Sequence, residues 1–213
     1  MQRIDELEVR LKLSPRAELK ARKQAYVQDE ILASAAKLFA ERGYRAVTID
    51  DIGSSLDYTK SVVYYYFESK NEILWQIFQR IYDSYFEGIT EIRARNAPPA
   101  EAMAMVIRRH ALNVMEKREW TAIYFREESE LTDQQRREIA KKKRQYDAMI
   151  EEIYEAGMEA GAFRRMPKHI AVSGLLGMCN WLYVWYKEQG SFSAEEIADY
   201  CAELLANGYL AKG

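Results

Sequence analysis

Apolar residues recur every three or four positions along most of this chain, and the stripes they form change phase at a few glycines, prolines and capping residues. Ile31, Leu32, Ala35, Leu38 and Phe39 make one stripe, and Gly43 is placed to end it, which predicts a helix over residues 26–43. Thr48 with Asp51 forms a variant of the capping box, and Ile49, Ile52 and Leu56 give the short helix behind it a single apolar side. Asp57-Tyr58-Thr59 interrupts that helix, and residues 60–66 read as another short one. Ser69-Lys70-Asn71-Glu72 is an S-x-x-E box opening a long helix, with Ile73, Leu74, Ile77, Ile81, Tyr85 and Ile89 on one side, before Pro98-Pro99.

The second half continues in the same way. A helix is expected over residues 100–117 and a short aromatic one near 120–128. Thr132-Asp133 opens a long charged helix running to Gly161. Pro167 opens an apolar helix ending at Gly190, and Ser193 to Glu196 boxes the last helix, which reaches about Leu210. With only 10 glycines and 4 prolines in 213 residues, an all-α fold is expected. Residues 170–186 carry no charge, but 17 positions diluted by Ser173 and Asn180 are short of the roughly 20 that a bilayer requires. A helix apolar on all sides is then one buried in a core or between subunits.

Charge alters the picture only locally. The formal net charge is −2, yet residues 10–23 hold six basic side chains against one acidic one. Residues 1–24 therefore read as a basic arm or extra helix, with Ser14-Pro15 suited to cap a helix and begin its first turn. The N-terminus lacks the apolar run of a secretory signal, and Cys179 and Cys201 have no metal-ligand spacing, so a cytoplasmic protein with reduced thiols is expected.

The pair of short helices over residues 48–67 has the spacing of a helix-turn-helix, whose second helix enters the major groove of DNA. Small hydroxyl residues and a lysine at the start of that second helix (Thr59, Lys60, Ser61) suit close approach to base edges and phosphates. Val63 and Phe67, four apart, are placed to face the core of the head.

Residues 26–75 resemble the DNA-binding domain of TetR-family regulators. The resemblance rests on Gly43, on Thr48 with Asp51 and Ile52, on Lys60 with Tyr64, Tyr65 and Phe67, and on Ser69-Lys70 with Glu72 to Leu74. Two positions depart from the family pattern: Asp57 stands where glycine is usual in the turn, and Tyr66 where histidine is common. Asp tolerates a left-handed backbone better than most residues, so the turn is expected to survive. The resemblance implies that Thr48, Tyr64, Tyr65 and Lys70 hold phosphates while Thr59, Lys60 and Ser61 read bases. It further implies a three-helix head at residues 25–70, an effector-binding and dimerising body at 71–213, and a homodimer on a palindromic double-stranded operator, with no membrane association.

The body is similar to the acyl-CoA-responsive branch of that family in residues 124–131, 151–163 and 180–208. That similarity implies dimerisation through the last two helices and an effector pocket among the others, with Tyr124, Phe125, Met149, Trp181 and Trp185 as lining residues. The run Lys141-Lys142-Lys143-Arg144 could meet effector phosphates, although such a run also suits a solvated face. No G-x-S-x-G, H-E-x-x-H, P-loop or G-x-G-x-x-G occurs, and His110 and His169 stand apart, so neither an enzyme nor a metal or other resident cofactor is expected. The expected function is a repressor released from its operator by an acyl-CoA-type effector. Alternatives are a regulator of efflux sensing hydrophobic drug-like ligands, and a helical ligand carrier or enzyme without DNA binding.

Overall fold

In the computed structural model, which describes residues 15–209, the regular elements are α-helices and one short 3-10 turn. The first helix, α1, spans Pro15–Arg42 without a break, so residues 15–24, expected as part of a separate arm, are its opening turns. The rest of the arm, with the Ser14 cap, lies outside the described residues. Helix α1 ends at Gly43, whose φ of +81° is the left-handed conformation that glycine adopts freely.

Helices α2 (Ile49–Ser54) and α3 (Lys60–Tyr66) follow, then the long α4 (Lys70–Ala94). The box read at Thr48 forms in full, and at Ser69 only the cap forms, because the Glu72 carboxylate accepts from the Glu68 N–H instead of the Ser69 N–H. The Thr48 hydroxyl accepts from the Asp51 N–H while the Asp51 carboxylate accepts from the Thr48 N–H, and the Ser69 side chain accepts from the Glu72 N–H. Helix α5 is Pro99–Glu116, α6 is Arg118–Arg126, and a 3-10 turn at Glu128–Glu130 leads into α7, Asp133–Glu159, capped by Thr132.

The apolar run beyond Pro167 does not form the single helix to Gly190 that its composition predicts. It divides into α8 (Lys168–Asn180) and a single turn, α9 (Leu182–Trp185), before α10 (Ala194–Tyr209). Among the described residues, no helix is long and apolar enough to cross a membrane.

Two apolar cores form, and α4 takes part in both. In the head, Ile31, Leu32, Phe39, Ile52, Val63 and Phe67 pack with Leu74 and Phe78 of α4. In the body, Ile89 and Ile92 of α4 pack with Met103, Ile107, Ile150 and Tyr154. Ile123, Leu131 and Ile139 extend the head core into α6 and α7, so the head is seated on the body by buried apolar surface. The boundary expected at residue 70 falls on the first residue of this shared helix.

Candidate functional site

The turn between α2 and α3 is set by two backbone requirements. Asp57 takes a φ of 56°, the left-handed conformation its position demands, so the departure from glycine is accommodated. Gly53 is a requirement the sequence reading missed: a Cβ there would lie 2.8 Å from the Tyr58 carbonyl oxygen. The Tyr58 hydroxyl donates to Glu30 of α1 at 2.9 Å and fastens the turn to the first helix.

This turn fixes the face that α3 presents. Val63 and Phe67 are buried, as their spacing predicts, and Tyr66 packs against the head core. Thr59, Lys60, Ser61, Tyr64 and Tyr65 are exposed. Thr59 precedes the helix without a capping bond from its side chain, and the Lys60 ammonium lies 5.7 Å from the Tyr64 ring centroid. Tyr65, the most exposed of the three tyrosines at 68%, stacks edge-on against Tyr66. These five of the residues expected to meet DNA are thus open to solvent on and beside α3.

Two of the phosphate-binding expectations acquire structural partners. Thr48 is exposed, but its hydroxyl is held by Asp51. Lys70 is half-buried, and its ammonium donates to the backbone carbonyls of Tyr44 and Val47 at 2.8 and 2.7 Å while lying 4.2 Å over the Tyr44 ring. Burial lowers its pKa, against the opposing pull of Glu130 and Asp51. Its position is therefore not that of a free phosphate contact: it ties the α1–α2 turn to the start of α4.

The same turn is gripped from the body. The Glu127 carboxylate accepts from the Tyr44 N–H at 3.2 Å, and Arg45 pairs with Glu130 at 2.8 Å. Asn71 donates to the Glu130 carbonyl oxygen and accepts from the Gln135 amide. Glu127 and Glu130 belong to the segment that follows α6 directly, and Gln135 to the first turn of α7.

In the body, a cavity of about 140 Å³ lies among α4, α5, α6, α7 and α8. Tyr82, Tyr85, Thr121 and Tyr124 line it from α4 and α6, with His110 from α5, Tyr146 from α7 and Asn180 from α8. The Tyr82 and Tyr124 hydroxyls are 2.8 Å apart, and Tyr85 stacks on His110 at 4.8 Å. Burial pushes the His110 imidazole down to about 4, so it is neutral at pH 7. Burial raises the Tyr82, Tyr85 and Tyr146 phenols, so these stay protonated. Exposed Phe125, Lys143, Ser173 and Gly177 mark where the cavity reaches the surface.

Of the five expected lining residues, Tyr124 and Phe125 are at the cavity, and Met149, Trp181 and Trp185 are not. Met149 packs against the body core. Trp181 and Trp185 are 61% and 50% exposed, because the break at Trp181 turns both rings outward. His110, Tyr146 and Asn180 were missed: the histidine looks solitary in sequence, and its partners lie 36 and 70 residues away.

Comparison with known proteins decides the family. The model of bacterial regulatory proteins of the tetR family matches residues 31–77, and that of the tetracyclin repressor-like C-terminal domain matches residues 96–209. The chain belongs to the TetR family. The HTH-type transcriptional repressor KstR2 of Mycolicibacterium smegmatis is 25% identical over 85% of this chain and 89% of that one. A TetR/AcrR-family regulator from Thermobifida fusca is 30% identical, with a TM-score of 0.68 over 85% of this chain and 97% of that one. AibR, solved with isovaleryl coenzyme A and operator DNA, is 27% identical, with a TM-score of 0.73 over 83% and 96% of the two chains. TetR-family regulators bind operator DNA and small-molecule effectors and act as dimers, and the KstR2 relatives of this chain are named repressors. It is a DNA-binding transcriptional regulator and not an enzyme.

Proposed function

We propose that this TetR-family protein is a repressor whose α3 reads its operator and whose body cavity takes the acyl group of a coenzyme A thioester, releasing the DNA. The observation that carries this reading is the cavity itself. Its wall is mainly aromatic, suited to an acyl group, and it reaches the surface beside Lys143, which pairs with the lining Asp147 at 2.9 Å and belongs to the basic run Lys141 to Arg144 that would meet phosphates. The AibR complex with isovaleryl coenzyme A and operator DNA supports the same ligand class.

Thr59, Lys60 and Ser61 would contact base edges, and Tyr64 and Tyr65 the backbone, with Thr48 and Lys70 fixing the turn beside them. Occupancy of the cavity would displace α6, and the Glu127 and Glu130 contacts would pass the change to the head. Release then reflects the ligand's differential affinity for two spacings of the heads in the dimer. Dimerisation would use the exposed side of α8 at Gly174, where no neighbour lies within 4 Å of an added Cβ, together with α10.

The test is release of DNA from upstream of the protein's own gene. Acyl-CoAs are expected to release it, the matching free acids far less, and raised salt to narrow the difference by screening the phosphates. Equal release by acid and thioester would overturn the coenzyme A reading. Release by hydrophobic cations, with none by thioesters, would favour an efflux regulator.

A further inference from the structure

Helix α1 begins at Pro15, well before its first residue packed against the head core, Val27. From Arg16 to Tyr26 every residue except Ala17 and Gln24 is exposed. Packing therefore does not account for these turns or for their charge. Arg16, Lys20, Arg22 and Lys23 stand there against Glu18, in a chain whose formal net charge is −2.

The charges are not spread evenly round the helix. At 3.6 residues per turn, Arg16, Lys20 and Lys23 fall on one side, and Glu18 and Arg22 fall on the opposite side. Arg16, Lys20 and Lys23 border the same surface groove. None of the three pairs with a carboxylate among the described residues, whereas Arg45, Arg80, Arg93 and Arg108 each do.

Two links place this basic stripe relative to α3. Glu30 accepts from the hydroxyl of Tyr58, just before α3, at 2.9 Å. The Gln24 amide donates to the hydroxyl of Tyr65, near the end of α3, at 3.4 Å. Going back along α1 thus leads toward the end of α3 and then past it. Arg16 lies a further ~12 Å along the helix axis from Gln24. When α3 sits in a major groove about 12 Å wide, an extension of that length past its end meets the sugar-phosphate strand that borders the groove.

We propose that the first turns of α1 are a second DNA contact, in which Arg16, Lys20 and Lys23 hold phosphates of the duplex flanking the half-site that α3 reads. The proposal rests on the operator reading given above and adds to it a contact without base preference. Phosphate contacts of this kind raise affinity and fix the orientation of the head, and they carry no sequence information directly.

The test is fluorescence anisotropy of the full-length protein at several salt concentrations. The probes are a duplex from upstream of its own gene and a random duplex of equal length. Combined Arg16→Ala, Lys20→Ala and Lys23→Ala should weaken binding to both duplexes without lowering the unfolding temperature. Its plot of log affinity against log salt should be shallower by roughly 5, as the loss of three phosphate contacts from each head of a dimer implies. Arg22→Ala, on the far side, should leave the slope unchanged. Trimming the flanks from the duplex should erase the difference between the wild type and the triple variant. A wild-type slope in the triple variant, an equal effect from Arg22→Ala, or a loss confined to the operator would each overturn the inference. Operator binding that Lys60→Ala still weakens would in those cases leave the operator reading in place. Failure of the wild-type protein to bind either duplex would overturn both.

Discussion

At the scale of single residues, the head depends on Gly53. An added Cβ would meet backbone atoms, the Tyr58 carbonyl oxygen at 2.8 Å and the Thr59 carbonyl carbon at 3.4 Å, and neither can swing aside as a side-chain tip can. Gly53→Ala is therefore expected to cost about 1–3 kcal/mol, read as a lower Tm, and to weaken operator binding because the turn that aims α3 must shift. An unchanged Tm would show that the turn relaxes freely. Sequence pattern made the inward residues of this region legible, since Val63 and Phe67 repeat at helical spacing and both are buried. It also anticipated that Asp57 would accept a left-handed backbone. Gly53 escaped notice because no local pattern reveals which carbonyl will approach a glycine. His110 was passed over for a similar reason, because its hydrogen-bond partners are supplied by two other helices.

At the scale of elements, α3 and the start of α4 separate two lysines that look alike in sequence. Lys60 is exposed at the first position of α3, whereas the Lys70 ammonium is bonded to two carbonyls of the α1–α2 turn. Lys60→Ala should lose on the order of 1–3 kcal/mol of operator affinity with little change in Tm, and relax preference at one base position if Lys60 reads a base. Lys70→Ala should instead lower Tm and operator affinity together, because it leaves two backbone acceptors without their donor. If Lys70→Ala lowered only the salt dependence of binding, its role would be that of a phosphate contact after all. Capping boxes and stripes located the helices well, because caps and periodicity are local. The apolar run past Pro167 was misjudged because a segment apolar on every side has no phase from which to read a face or a break. For that reason Trp181 and Trp185 were expected in the pocket and instead lie on the surface.

At the scale of the whole molecule, the apolar residues left in water identify where a second copy would sit. Ile170, Trp181, Val184, Trp185, Phe192, Tyr200 and Leu204 are each more than two-fifths exposed, and they cluster on α8, α9, α10 and the segment joining them. Large apolar side chains gathered in this way mark an interaction surface when they form a contiguous patch. Exposed Gly174 on α8, which does not line the cavity, would let a facing helix approach closely. Leu204 is 63% exposed and Leu182 only 1%, so charge at the two positions has different consequences. Leu204→Arg should leave Tm measured at low protein concentration nearly unchanged and convert a micromolar dimer to monomer in sedimentation. Leu182→Arg should unfold the body, since it buries an unpaired charge in the core. The monomeric variant should also lose far more operator affinity than any single contact supplies, because two linked heads bind with an effective concentration that one head lacks. A wild-type protein that sediments as a monomer, or a Leu204→Arg protein that remains dimeric, would move the interface away from α8 and α10. Retention of full operator affinity by a monomeric Leu204→Arg would instead mean that a single head suffices to hold the DNA.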